Sequence, residues 1–142
     1  MLRQCMAAAL FVLAAVGGVH AQQYPARTIT IIVPFAAGGP ADITGRIAAD
    51  ILSRHLNAQV VVENIGGGGG TVGTLRAAKA PPDGYTLISG HMGTNALAPV
   101  FYPSLCYDPE KDFAPGGLIA EQPELLAVRK DIPTNNLKEF IA

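Results

Sequence analysis

Hydrophobic and polar positions follow two different periods along the chain, and the change from one to the other predicts its elements. The run from Thr28 to Val33 is β-branched and almost continuously apolar, as in a parallel strand that is covered on both faces. From about Asp42 to Leu56 apolar residues recur every fourth position, which predicts an amphipathic helix. Pro40 fits the first turn of this helix, where a missing N–H costs little. The apolar positions of the helix are Ile43, Ile47, Ile51, Ala48, Leu52 and Leu56.

The same alternation of strand and helix continues beyond this helix. We predict strands over 59–63 and 85–89, a short helix over 71–80 and a helical turn over 96–100. Residues 102–115 contain three prolines and are predicted to be irregular. Short apolar runs at 118–120 and 125–128 are predicted strands, and a last helix begins at Asn136, with Glu139 at capping-box spacing. The order β-α-β-α-β-(α)-β-β-α predicts an α/β fold with a mainly parallel sheet.

The first 21 residues have the pattern of a secretory signal peptide. Arg3 precedes an apolar run from Cys5 to Val16, and Val19-His20-Ala21 is typical of a cleavage site. The run is shorter than the roughly 20 residues that a transmembrane helix needs. We therefore expect cleavage after Ala21, export, and no transmembrane segment in the mature chain; a buried N-terminal helix is the alternative.

Composition and charge narrow the function classes. The 142 residues allow one ordinary domain, and 49% hydrophobic with 15% charged residues is a globular composition. A formal net charge of −1 without a basic cluster argues against nucleic acid as a partner. After cleavage Cys106 is the one remaining cysteine, so no intrachain disulfide is expected. The histidines His55 and His91 have no cysteine or paired carboxylates near them in sequence, so no metal site is predicted.

Three loops rich in glycine or small polar residues are candidates for ligand binding. They lie at 34–40, 64–71 and 91–95, where predicted strands lead into helices, and ligands of open α/β sheets bind at such ends. None of these loops contains Lys or Arg. An anion there would be held by backbone amides and hydroxyls, which favours a carboxylate over a polyphosphate. Alternatively, the glycines only provide turns with positive φ. Asp42 is either a capping group for its helix or a ligand contact.

Two other functions have partial support in the sequence. Residues 68–73 match the dinucleotide-binding pattern G-x-G-x-x-G, but the acidic residue expected about 20 positions on is missing. No Lys-Ser/Thr pair follows the glycines, which excludes a P-loop, and no cofactor is predicted. An exported hydrolase using Ser89 or His91 is the remaining enzyme hypothesis, although Gly-x-Ser-x-Gly is absent.

Four motifs in one order resemble a known family. They are Tyr24-Pro25-x-Arg27-x-Ile29-x-Ile31-Ile32-Val33-Pro34-Phe35-x-Ala37-Gly38-Gly39-x-x-Asp42; Val60-Val61-Val62-Glu63-Asn64; Ala78-Lys79-Ala80-x-Pro82-Asp83-Gly84-Tyr85-Thr86-Leu87; and Tyr107-Asp108-Pro109-x-Lys111-Asp112-Phe113-x-Pro115. Together they resemble the substrate-binding proteins of tripartite tricarboxylate transporters, the Bug family. Family members are about twice as long as this chain.

The resemblance implies a periplasmic, non-catalytic and monomeric receptor whose two α/β lobes close around a small carboxylate and deliver it to membrane permease subunits. Residues 22–122 would form the first lobe, and 123–142 the crossover and the start of the second. The implied ligand-binding residues are Phe35, Ala37, Gly38, Gly39 and Asp42; Gly69, Gly70 and Thr71; and His91, Gly93, Thr94 and Asn95. With half of the cleft absent, this chain alone is expected to bind weakly or not at all. An inactive truncated receptor is a further hypothesis.

Overall fold

The structure, a computed structural model, describes residues 24–121, 126–134 and 136–141. The strands are β1 (Ile29–Val33), β2 (Val60–Asn64) and β3 (Thr86–Ile88). The α-helices are α1 (Pro40–Leu56), α2 (Thr71–Ala78), α3 (Ala98–Phe101) and α4 (Leu137–Ile141). A 3₁₀ turn at Gly68–Gly70 leads into α2, and a π-helical turn at Gly93–Leu97 leads into α3. The predicted signal peptide lies outside the described residues.

The three strands form one parallel sheet in the order β2-β1-β3. The central strand β1 is buried on both faces, which explains its nearly continuous apolar sequence. Because all three strands run the same way, their carboxyl ends lie at one edge, near Val33, Asn64 and Ile88. The parallel α/β architecture predicted from the sequence is confirmed, and this edge is where the candidate loops begin.

Helix α1 packs on the sheet through its small residues. Gly45, Ala48 and Ala49 are buried, and the two alanines pack with Ile31 and Val33 of β1. An added Cβ at Gly45 would lie 2.6 Å from a methyl carbon of Val33, so the close approach of helix and strand requires glycine there.

Part of the predicted apolar face of α1 does not enter the core. Ile43 and Ile47 are both 55% exposed, and Ile51 is similarly exposed. Two neighbouring rows of the helix share the fourfold spacing. The row that begins at Ala48 and includes Leu52, together with the buried Gly45 and Ala49, faces the sheet.

The predicted strands at 118–120 and 125–128 are wrong for the residues that the structure describes. Residues 116–121 and 126–128 have no strand geometry and make no backbone hydrogen bond to another described segment. The side chain of Leu118 is exposed, and nothing lies within 4 Å of an added Cβ at Gly116 or Gly117. An apolar run forms a strand only where a neighbouring strand completes its hydrogen bonds.

Other expectations are confirmed or shifted by a few residues. Among the described residues 102–115 no helix or strand forms, as predicted. Before α4 the Asn136 Oδ1 accepts the Glu139 N–H at 3.0 Å, which confirms Asn136 as the capping residue, and the Asn136 Nδ2 donates to Glu139 Oε1 at 2.7 Å. The predicted loop at 91–95 is helical from Gly93 on, because the Thr94 and Asn95 N–H groups both bond to the His91 carbonyl.

Candidate ligand-binding site

Three segments meet at the carboxyl edge of the sheet: the first loop (34–39), the glycine loop (65–71) and the third loop (89–95). An added Cβ at Gly70 would lie 2.7 Å from Thr94 Cγ2 and 3.0 Å from Phe35 Cζ, so Gly70 sits where all three segments touch. The rings of Phe35 and His91 stack with their centroids 4.8 Å apart and their planes 7° from parallel. The structure therefore brings at least one predicted ligand-binding residue from each of the three segments into contact with the other two segments.

The Asp42 side chain ties the first loop to the end of β2. Its Oδ2 accepts the Gly38 N–H at 2.8 Å and the Arg46 Nε–H at 2.9 Å, and its Oδ1 accepts the Asn64 Nδ2–H at 2.9 Å. The same Asn64 amide donates to the Phe35 carbonyl at 3.2 Å. Asp42 lies in the first turn of α1 and reaches back to a backbone N–H before the helix, as the acidic partner of a capping box does. Both of its oxygens are occupied by this network.

These hydrogen bonds fix the charge of Asp42. The guanidinium of Arg46, the Gly38 N–H and the Asn64 amide together lower the pKa of the Asp42 carboxyl from 3.8 to about 2. Asp42 is only 3% exposed, so at neutral pH an ionised carboxylate is held inside the first loop. Arg46 is neutralised by it and also donates to Asn64 Oδ1 at 3.2 Å.

The His91 ring is held in one orientation. Its Nδ1 accepts the Gly93 N–H at 2.6 Å while the ring stacks on Phe35. In the neutral ring an accepting Nδ1 places the proton on Nε2. His91 is exposed, so its Nε2–H is a donor available to a ligand.

Thr94 and Asn95 belong to a hydrogen-bonded turn at the start of the π-helical segment. The buried Thr94 hydroxyl accepts the His91 N–H at 3.2 Å and lies 2.8 Å from Asn95 Oδ1. The Thr94 carbonyl accepts the hydroxyl of Tyr107 at 2.7 Å. Thr94 thus holds the third loop in shape, whereas the Asn95 side chain lies over Gly90 at its exposed rim.

The first loop carries unused backbone donors. Among the described residues, the N–H groups of Ala36 and Ala37 have no acceptor, and both residues are exposed. An added Cβ at Gly66 would lie 3.5 Å from the Ala36 nitrogen, so the two loops run side by side. Exposed, unpaired N–H groups beside the start of α1 are able to donate to an anion without a side-chain cation.

The remaining predicted residues lie on the same edge without meeting at one point. Gly38 is exposed at the tip of the first loop, and nothing lies within 4 Å of an added Cβ there. The Thr71 hydroxyl bonds to the Gly68 carbonyl at 2.9 Å, and Gly69 lies against Tyr102.

Sequence reasoning missed the residues that support the loops. Asn64, Arg46 and Tyr107 each donate a hydrogen bond that shapes the first or third loop. Arg46 stands four positions after Asp42 on a helix, which is a readable ion-pair signal. Asn64 and Tyr107 contact residues far away in sequence, and no local pattern could have assigned those partners.

Geometry for hydrolytic or metal chemistry is not found in the part of the chain that the structure describes. No hydrogen bond joins Ser89 to His91 among residues 24–121, 126–134 and 136–141, and the His91 Nδ1 is taken by Gly93. The same residues contain no group of three His, Cys, Asp or Glu that could hold a metal. None of the helices among them is long and apolar enough to span a membrane.

Comparison with solved structures defines the class of protein. MatC from Rhodopseudomonas palustris, solved with bound malate, is 45% identical; the match covers 82% of this chain and 40% of MatC, with a TM-score of 0.72. A second R. palustris protein, solved with adipate, is 38% identical with the same TM-score, over 83% of this chain and 40% of that protein. The described fold is that of a periplasmic binding protein, of which this chain covers less than half.

The family follows from the sequence comparisons. The family model described as tripartite tricarboxylate transporter family receptor matches residues 44–142, and the chain belongs to this family of periplasmic solute-binding receptors. BugT from Bordetella pertussis is 37% identical over 125 residues, which are 87% of this chain and 38% of BugT. The resemblance to the Bug proteins is therefore confirmed, and the chain spans less than half the length of these relatives.

Proposed function

We propose that this chain forms the first lobe of an extracytoplasmic receptor for a small di- or tricarboxylate or a related organic acid. The receptor delivers its ligand in the periplasm to the membrane permease subunits of a tripartite tricarboxylate transporter, and it acts as a monomer without catalysis. The family assignment and the malate and adipate found with two relatives support the choice of ligand class.

The observation that carries the proposal is the surface of free donors at the carboxyl edge of the sheet. The exposed N–H groups of Ala36 and Ala37 have no acceptor among the described residues, and no Lys or Arg lies in the three loops. Such a surface suits a carboxylate, whose charge is spread over two oxygens that accept N–H groups. A polyphosphate would need cationic side chains or a metal to offset its larger charge.

In this proposal the predicted residues have different roles. The first loop supplies backbone donors at Ala36 and Ala37, with Gly39 beside them, and the exposed His91 Nε2–H and Asn95 side chain supply further polar contacts. Asp42 acts as a positioning residue, because its carboxylate is buried and engaged by Gly38, Arg46 and Asn64. Removing its charge would release the first loop rather than remove a ligand contact.

Saturation-transfer NMR with a panel of acids tests this function. The purified protein is mixed with malate, adipate and the corresponding uncharged diamides, and the same samples are followed for chemical conversion over hours. The proposal predicts saturable binding of the acids, none of the diamides, and no conversion. Turnover of any compound would favour the exported hydrolase, and equal binding of acids and diamides would contradict a carboxylate site.

A further inference from the structure

One tyrosine hydroxyl is left without a partner at the edge of the candidate site. All four tyrosines of the chain lie in described residues, and three of their hydroxyls are engaged: Tyr24 donates to the Gly84 carbonyl at 2.7 Å, Tyr85 accepts the Ala26 N–H at 2.8 Å, and Tyr107 donates to the Thr94 carbonyl at 2.7 Å. The Tyr102 hydroxyl makes no hydrogen bond to any residue that the structure describes.

The free hydroxyl lies directly over the glycine loop. An added Cβ at Gly69 would be 2.9 Å from the Tyr102 hydroxyl oxygen, so the phenol occupies space that any other residue at position 69 would fill. Gly69 also has a φ of +65°, where glycine is favoured. The phenol is therefore accommodated by the loop that sequence reasoning assigned to ligand binding.

Tyr102 also connects two predicted groups of site residues. With Thr71, Val72 and Leu75 it lines a cavity of about 140 Å³ beside α2, and with Asn95 it lines an open groove on the other side. Thr71 belongs to the glycine loop and Asn95 to the third loop. The Tyr102 ring, 43% exposed, thus stands between them with its hydroxyl unused.

We propose that Tyr102 is a further ligand-binding residue, whose hydroxyl donates a hydrogen bond to a carboxylate oxygen of the ligand at the glycine loop. The inference rests on the proposed function, because it takes the ligand to be a small carboxylate. A phenol is an uncharged donor, and a hydrogen bond from it to a carboxylate is stronger than one between two neutral groups. The Tyr102 hydroxyl thus adds a side-chain donor beside Gly69, in loops that contain no Lys or Arg.

The substitution Tyr102→Phe tests the inference, because it removes the hydroxyl and keeps the ring. Tyr24→Phe is the matched control: Tyr24 is comparably exposed, at 53%, and bonds to Gly84 outside the three loops. Dissociation constants for malate and adipate are measured by amide-shift NMR titration of the unaltered protein and both variants. We expect Tyr102→Phe to raise the dissociation constant about tenfold or more, and Tyr24→Phe to change it less than about twofold.

Stability separates a ligand contact from a structural role. Since the Tyr102 hydroxyl has no partner in the described chain, Tyr102→Phe should leave the urea midpoint unchanged while it weakens binding. Equal affinities of the unaltered protein and Tyr102→Phe would overturn this inference alone and leave the proposed function standing. If the unaltered protein binds neither acid at concentrations well above about 1 mM, this chain is the inactive truncated receptor of the alternative hypothesis, and both the proposed function and the inference are wrong for it.

Discussion

The substitution Gly70→Ala tests whether the three loops meet as the structure shows. Gly70 has a φ of +95°, and an added Cβ would lie 2.7 Å from Thr94 Cγ2 and 3.0 Å from Phe35 Cζ. Carbon atoms in favourable contact are roughly 3.5–4.0 Å apart, so neighbours from both other loops would have to move. The alternative, that the glycines only provide turns, predicts backbone strain and nothing more.

Gly38→Ala is a matched control that separates these two effects. Gly38 has a similar φ of +84°, but nothing lies within 4 Å of an added Cβ. A left-handed conformation costs a residue with a Cβ about 1–2 kcal/mol, and this is the whole cost expected for Gly38→Ala. Gly70→Ala adds overpacking of about 1–3 kcal/mol. The gain from a less flexible unfolded chain is the same for both and cancels in the comparison.

The assay is urea unfolding followed by circular dichroism, with the free energy of unfolding compared at equal m values. We expect Gly38→Ala to lose about 1–2 kcal/mol and Gly70→Ala about 2–5 kcal/mol. For a domain of this size, each kcal/mol of lost stability lowers the melting temperature by about 4–8 °C. Equal losses in the two variants would refute the convergence of the loops at Gly70.

Four further predictions concern the loop supports, acid stability, export and affinity. Tyr107→Phe leaves the buried Thr94 carbonyl without its donor and should lower the free energy of unfolding by about 1–3 kcal/mol; an unchanged urea midpoint would contradict that hydrogen bond. The pKa of Asp42 is lower in the folded protein, about 2 against 3.8, so its stabilising effect is complete above about pH 4 and is lost as the pH falls towards 2. Asp42→Asn should therefore make stability less dependent on pH in that window, and an unchanged slope would contradict the network. N-terminal sequencing of the protein from the periplasm should begin at Gln22; a start at Met1 would contradict cleavage after Ala21. The chain alone should bind malate or adipate with a dissociation constant of about 1 mM or weaker, since one side of the ligand stays in water; micromolar affinity in a titration would contradict this.

The fold near the site could be predicted because its determinants are local. The β-branched run ending at Val33, the fourfold spacing after Asp42 and the glycines before Thr71 each specify an element within a short stretch of sequence. Parallel order then follows from the alternation of strands and helices. The carboxyl edge, and with it the place of the three loops, could be deduced in the same way.

The predictions that failed concern residues whose partners are far away in sequence. The apolar run at 118–120 predicts a strand, but no described neighbour pairs with it. The fourfold spacing of α1 does not show whether the row that begins at Ile43 or the row that begins at Ala48 faces the sheet. That choice depends on the close fit of Gly45 against Val33. The bond between Asp42 and Asn64 could not be predicted either, because the Asn64 amide reaches Asp42 from the end of β2.

In the proposed receptor, exposed backbone N–H groups of the first loop, which lies against the glycine loop, hold a carboxylate. Amide-shift mapping on the ¹⁵N-labelled protein, titrated with malate and with the uncharged diamide, tests this most directly. We predict that malate shifts the amide signals of Ala36 and Ala37 most strongly, with smaller effects at 69–71 and 91–95, and that the diamide shifts none of them. Shifts confined to residues away from the carboxyl edge of the sheet, such as the Ile43–Ile51 side of α1, would contradict it.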